Sequence, residues 1–192
     1  MILEGSLQLE HEGHYSIVLE QFDQDNFSGS WTTHSRGRVT DFNLMVSSGE
    51  GRVQVTEVPA GGMLTVALQS ATERWNAVSE VFYCLSDNVH VVFPAGNETV
   101  LNRGDVLTVY SDMRDNTSPS TTCATTHNTA SAATGIPVTA PSAGGIRGNR
   151  YRTAPGTHAT TDVSGAVSDD RLLRLHSPET TATLIRAIVF HD

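Results

Sequence analysis

The sequence predicts an all-β protein, built as a sandwich or barrel. Apolar and polar residues alternate in many short runs, the signature of half-buried strands. Gly, Asn and Asp punctuate those runs at short intervals, and no segment carries a convincing apolar stripe of 3.6-residue period. Many short strands so spaced belong to sandwiches and barrels.

The elements follow in order along the chain. Strands are predicted at 2–9, where Leu3, Leu7 and Leu9 are spaced by polar residues, at 15–22 and at 38–46. Val53 and Val55 support a strand at 52–58, and the Gly61-Gly62 pair turns the chain into another at 63–69. The segment 70–79 is the best helical candidate, but it is short and reads equally well as a loop carrying Trp75. Strands resume at 79–85, 88–93, 98–102 and 106–110, rich in Val, Leu, Phe and Thr. From 113 to 167 the composition shifts to Thr, Ser, Ala, Gly and Pro, which cannot bury enough apolar surface to offset ordering entropy and predicts a disordered insertion. Two runs follow, Leu172 to His176 and Ala182 to Phe190, the second almost continuously apolar, as a central strand would be. A strand pattern that resumes after an insertion indicates one domain, residues 1–192, interrupted by a loop.

An internal echo suggests duplication. Leu3-Glu4-Gly5-Ser6-Leu7-Gln8-Leu9, followed by Val18-Leu19, recurs as Leu85-Ser86-Asp87-Asn88-Val89-His90-Val91, followed by Val100-Leu101. Each copy reads as strand, tight polar turn, strand, loop, strand, and the second closes on a Gly104-Asp105 corner.

Bulk composition bounds function. A chain of 192 residues holds one ordinary domain, and 38% hydrophobic with 17% charged residues fits a globular one. No apolar run approaches the roughly 20 residues that span a bilayer, and no basic, apolar leader opens the chain, so the cytoplasm is the expected compartment. The formal charge is −9 and every basic residue is arginine, a balance that disfavours nucleic acid and anionic membrane. The one basic cluster, Arg147, Arg150 and Arg152 around Tyr151, reads as a solvated loop. Cys84 lies in an apolar strand pattern and is expected to be a buried thiol; Cys123, in the Ser/Thr-rich stretch, is not expected to pair with it.

One stretch resembles a known family. Phe27-Ser28-Gly29 followed by Thr33-His34-Ser35-Arg36-Gly37-Arg38-Val39-Thr40-Asp41-Phe42-Asn43-Leu44-Met45 is similar to the F-x-G element and D-F-N-L-M strand of the HutD/Ves family. Leu3-Glu4-Gly5 resembles its L-E-G turn, and Leu85 to Val91 with Gly104-Asp105 resembles its second barrel half. The resemblance covers roughly 2–110 and the last strand. It implies a cupin-type (RmlC-like) β-barrel, duplicated as a bicupin, with a role beside histidine utilisation or stress response. The family's pattern begins before the L-E-G turn, so the first barrel is expected to be incomplete here, its open edges favouring a homodimer.

Candidate sites follow. On a strand, Asp41 and Asn43 share one face with Val39 and Met45, while Phe42, Leu44 and Val46 share the other. The polar pair would orient a small ligand inside a barrel, with Arg36 giving bidentate hydrogen bonds to a carboxylate and His34 beside it. Metal binding finds no support: His11 and His14 are expected in a polar turn around Gly13, His90 stands alone on a strand, and His127 and His158 lie in the insertion. No G-x-S-x-G elbow, phosphate loop or activated cysteine is present. The expected function is non-catalytic binding of a small organic acid through Asp41, Asn43, Arg36 and His34, with no cofactor. The competing readings are a cupin enzyme, either an isomerase or a metal-dependent dioxygenase, and a truncated fragment without function.

Overall fold

The computed structural model describes residues 1–112 and 171–192. The insertion expected at 113–167, with Cys123, His127, His158 and the Arg147, Arg150 and Arg152 cluster, lies outside them. The described residues form eleven strands and no α-helix: β1 (Ile2–His11), β2 (Tyr15–Leu19), β3 (Thr33–Asp41), β4 (Glu50–Val58), β5 (Gly62–Ala67), β6 (Ala77–Cys84), β7 (Val89–Val92), β8 (Glu98–Leu101), β9 (Val106–Asp112), β10 (Leu172–Ser177) and β11 (Ala182–His191). No helix among them is long and apolar enough to cross a membrane. They divide into two compact units, one of residues 1–47 and the other containing β4 to β11.

The first unit is an antiparallel sheet in the order β2-β1-β3. Ile2, Leu9 and Leu19 bury one face, with Leu7, Ile17 and Val39 packed against them. Strand β2 stops at Leu19, short of the expected residue 22. Phe22 adopts φ 65 and its N–H donates to the carbonyl of Ile2 at 2.7 Å, so the chain has already turned. Strand β3 lies earlier than the expected 38–46, because its ladder with β1 begins at Thr33↔His11 and runs out at Asp41↔Ile2. Phe42 still exchanges two hydrogen bonds with Met1, at 2.8 and 2.9 Å, and beyond it residues 43–46 form no strand. Leu3-Glu4-Gly5 is a bulge within β1 and not a turn: the register shifts between Ile2 and Glu4, and Gly5 takes φ 86. In the echoed stretch a polar turn instead separates β6 from β7, so the two copies are not equivalent elements.

The second unit is a jelly roll. Its strands pair as nested antiparallel couples, β4 with β11, β5 with β10, β6 with β9 and β7 with β8. The couples lie in two four-stranded sheets, β4-β11-β6-β9 and β5-β10-β7-β8. This is the double-sheet arrangement of cupins. The core draws Val58, Phe82, Leu107 and Leu184 from the first sheet and Val66, Val91, Leu101 and Leu175 from the second. Phe82 is fully buried, a contribution of about 2–3 kcal/mol relative to exposure. The Gly104-Asp105 corner forms as expected, with Gly104 at φ 88 and Asp105 Oδ2 accepting the N–H of Asn102 at 2.8 Å. The segment 70–76 is a loop.

Gly49 enters β4 with φ 83, and a Cβ there would lie 1.9 Å from the carbonyl oxygen of Phe190. Gly49→Ala is expected to lower stability by about 1–3 kcal/mol, read as a lower urea midpoint with an unchanged denaturant slope.

Candidate functional site

The four residues singled out by sequence separate in space. His34 and Arg36 lie on one exposed face of β3, two residues apart. Asp41 alternates with Arg36 and so belongs to the other side of the strand. Asn43 lies beyond the strand end, where its Nδ2 donates to Asp41 Oδ2 at 2.7 Å. Asp41 and Asn43 are both exposed, and His34 bonds to Glu12 at 3.2 Å.

Strand register gives Arg36 different neighbours. Arg36 is the cross-strand partner of Gln8, and Gln8 is the partner of Val18 on the far side. Directly opposed residues project to the same face, so Val18, Gln8 and Arg36 form one row across the sheet, exposed along its length. Arg38, opposite Ser6, occupies the next position on that face. Among the described residues neither Arg36 nor Arg38 has an ion-pair partner, whereas Arg52 pairs with Glu50 and Arg186 with Glu80.

The opposite face of the same sheet holds a network that the sequence reading missed. His11 ends β1 fully buried instead of sitting in the turn; only His14 is there, stacked on Trp31 at 3.7 Å between ring centroids. His11 Nδ1 meets Thr33 Oγ1 at 2.8 Å and Nε2 meets Asp25 Oδ2 at 3.0 Å, while the Tyr15 hydroxyl donates to Asp25 Oδ1 at 2.8 Å. Phe27 and Tyr15 enclose the imidazole. With both ring nitrogens engaged, His11 ties the loop after β2 onto the sheet and is not open to a metal or substrate. The spacing Leu7, Leu9, His11 was the available signal, since it places the imidazole on the apolar face.

In the jelly roll, Glu80 of β6 and Arg186 of β11 face the interior. Arg186 Nε donates to Glu80 Oε2 at 2.7 Å, and Nη2 reaches the same oxygen and donates to the carbonyl of Ala67 at 2.7 Å. The N–H of Gln69 donates to Glu80 Oε1. The pair separates the main core from a smaller cluster of Val78, Ile188 and Phe190 with Trp75. Burial pushes the Glu80 carboxyl above the ordinary glutamate range, and Arg186 pulls it only part of the way back. Burial likewise raises the thiol of Cys84, whose Sγ donates to the carbonyl of Ser86 at 3.0 Å. Low thiolate content removes Cys84 as a nucleophile.

A polar depression of about 310 Å³ lies between the β6–β7 and β10–β11 turns of the jelly roll, lined by Asp87, Arg103 and Glu179 among others. Two carboxylates against one guanidinium make it a poor receptor for an anion. On the outer face of the same unit, His90 is not isolated, because His176 is its cross-strand partner.

Single replacement of Glu80 or Arg186 by Met is expected to cost about 3–5 kcal/mol, because each leaves a buried charge unpaired. The double replacement costs far less than the sum, measured as a double-mutant cycle by urea unfolding. A carboxyl with a raised folded-state pKa favours folding below its unfolded pKa, and that contribution is lost as pH rises through the folded value. The cost of Glu80→Gln, neutral throughout, is therefore greatest in acid and shrinks as pH rises through the carboxylate range.

A family model described as HutD matches residues 1–128. No curated protein and no solved structure matches the chain.

Proposed function

Since the chain belongs to the HutD family, whose members are cupin-like, we propose that it is a non-catalytic binder of a small organic acid, held on the exposed face of the β2-β1-β3 sheet. The observation that carries this reading is the row Val18, Gln8 and Arg36. It presents an apolar contact, an amide and a guanidinium in line, spaced by about 4.8 Å from strand to strand. A carboxylate takes two parallel hydrogen bonds from Arg36, a polar centre meets Gln8, and an apolar end covers Val18. Arg38 adds a second guanidinium to that face, while Glu10, opposite His34, and Glu4, opposite Thr40, set carboxylates on either side of the pair.

The family's name ties it to histidine utilisation, a setting in which amino-acid-derived acids are abundant. A binder of such an acid suits a regulatory role in the cytoplasm, where occupancy reports metabolite level and no turnover is needed. Asp41 and Asn43, which bond to each other away from Arg36, serve in this reading as the polar end of β3 and not as ligand contacts.

Thermal-shift and calorimetric titration of the full chain with short mono- and dicarboxylic acids, urocanate and formylglutamate among them, tests this. At least one acid is expected to raise the melting temperature by mass action. Arg36→Ala should weaken it by about tenfold or more, and added salt should weaken it further because the site is exposed. Asp41→Ala and Asn43→Ala should bind as the wild type does. Stabilisation by no acid, or stabilisation unchanged in Arg36→Ala, overturns the proposal.

A further inference from the structure

We propose that the outer face of the β5-β10-β7-β8 sheet is a docking surface for a second copy of this chain. Register places two rows of side chains across that face. Met63, His176, His90 and Val100 are successive cross-strand partners, and so are Thr65, Arg174, Val92 and Glu98. Directly opposed residues share a face. Leu173 and Leu175 of β10 and Val89 and Val91 of β7 belong to the core, so the residues alternating with them point away from it. Met63 is 60% exposed and Val100 39%, and they stand at the two ends of one row.

The second row carries the charges. Arg174 and Glu98 are both exposed, and among the described residues neither has an ion-pair partner. Val92 stands between them, so their Cα atoms are two strand spacings, about 9.6 Å, apart. A two-fold axis brings together what the single sheet holds apart. Identical faces that stack about a two-fold need that axis in the plane of the interface. An axis along the strands, between β10 and β7, lays β5 over the second copy's β8 and β10 over its β7. Met63 then meets the second copy's Val100, and His176 meets its His90. In the other row Arg174 lies one strand over from the second copy's Glu98. For sheets stacked about 10 Å apart, their Cα atoms are then about 11 Å apart, within the combined reach of the two side chains. The contact forms twice, once on each side of the axis. An axis across the strands sets Arg174 over the second copy's His176 or Arg174 and brings no opposite charges together.

The size of the face sets the strength of the association. Four strands spaced by about 4.8 Å, each rising about 3.3 Å per residue over six residues at most, make a patch of about 400 Å². A standard stable interface buries roughly 800 Å² per partner. The dimer is therefore weak, forming between micromolar and millimolar concentration, and the paired charges select its arrangement more than they add affinity.

Sedimentation velocity of the full chain, from micromolar to millimolar concentration, tests this. The wild type is expected to pass from monomer to dimer. Arg174→Glu and Glu98→Arg each set like charges against one another twice, and each should weaken dimerisation by about tenfold or more. Mixed in equal amounts, the two variants should dimerise as the wild type does, because one chain then presents two carboxylates and the other two guanidiniums. Mixing cannot rescue a variant that is merely misfolded, and circular dichroism with thermal melting verifies the fold of each alone. A wild type that stays monomeric at millimolar concentration overturns the docking surface. Variants that dimerise as the wild type does put the contact on another surface and overturn it as well. A mixture no more dimeric than either variant alone overturns the two-fold arrangement.

Discussion

Strand β11 is the member on which the second unit depends. It lies between β4 and β6, pairing with both along nearly its whole length, and the nested couples of the jelly roll close around it. A strand with neighbours on both sides and a core beneath must be apolar almost throughout, and Ala182 to Phe190 is. The charged exception, Arg186, is accommodated because Glu80 on β6 and the carbonyl of Ala67 meet its guanidinium inside the fold. Ion pairs in such places rarely add stability over an apolar pair; their effect is on which arrangement is permitted. A register slip of one residue in β11 would turn Arg186 outward and strand Glu80 unpaired, so the pair discriminates against misaligned sheets.

Much of this was legible in sequence, for reasons that show where legibility ends. Alternation marked the strands of the jelly roll within a few residues, because each buries one face against the same core. It erred at β3, where Leu44 and Val46 continue the apolar pattern of Phe42 but lie past the end of the ladder with β1. It misread Leu3-Glu4-Gly5, since a glycine with positive φ serves a bulge as readily as a turn. The site was legible only in part. Arg36 and His34 share a face by simple parity, yet the row that joins Arg36 to Gln8 and Val18 exists only once the register of three strands is known. His11 and Asp25 meet through a loop, and Glu80 and Arg186 meet across 106 positions of sequence, with no local trace of either.

The arginines of the chain divide by what they face. Arg186 is enclosed and neutralised; Arg52 is paired on the surface with Glu50. Arg36 and Arg38 stand on an exposed strand face without ion-pair partners among the described residues. They share that face with Glu4 and Glu10, so its charge is set by which of these groups lie within reach of one another.

The order of synthesis gives the position of β11 a further meaning. Of the eight strands described in the second unit it is made last, so a nascent chain carries β4 and β6 with waiting edges until residues beyond 182 leave the ribosome. The first unit has its three strands within the opening 41 residues and faces no such delay. During translation the second unit is therefore the one exposed to mispairing, and the interval is lengthened by every residue between β9 and β10.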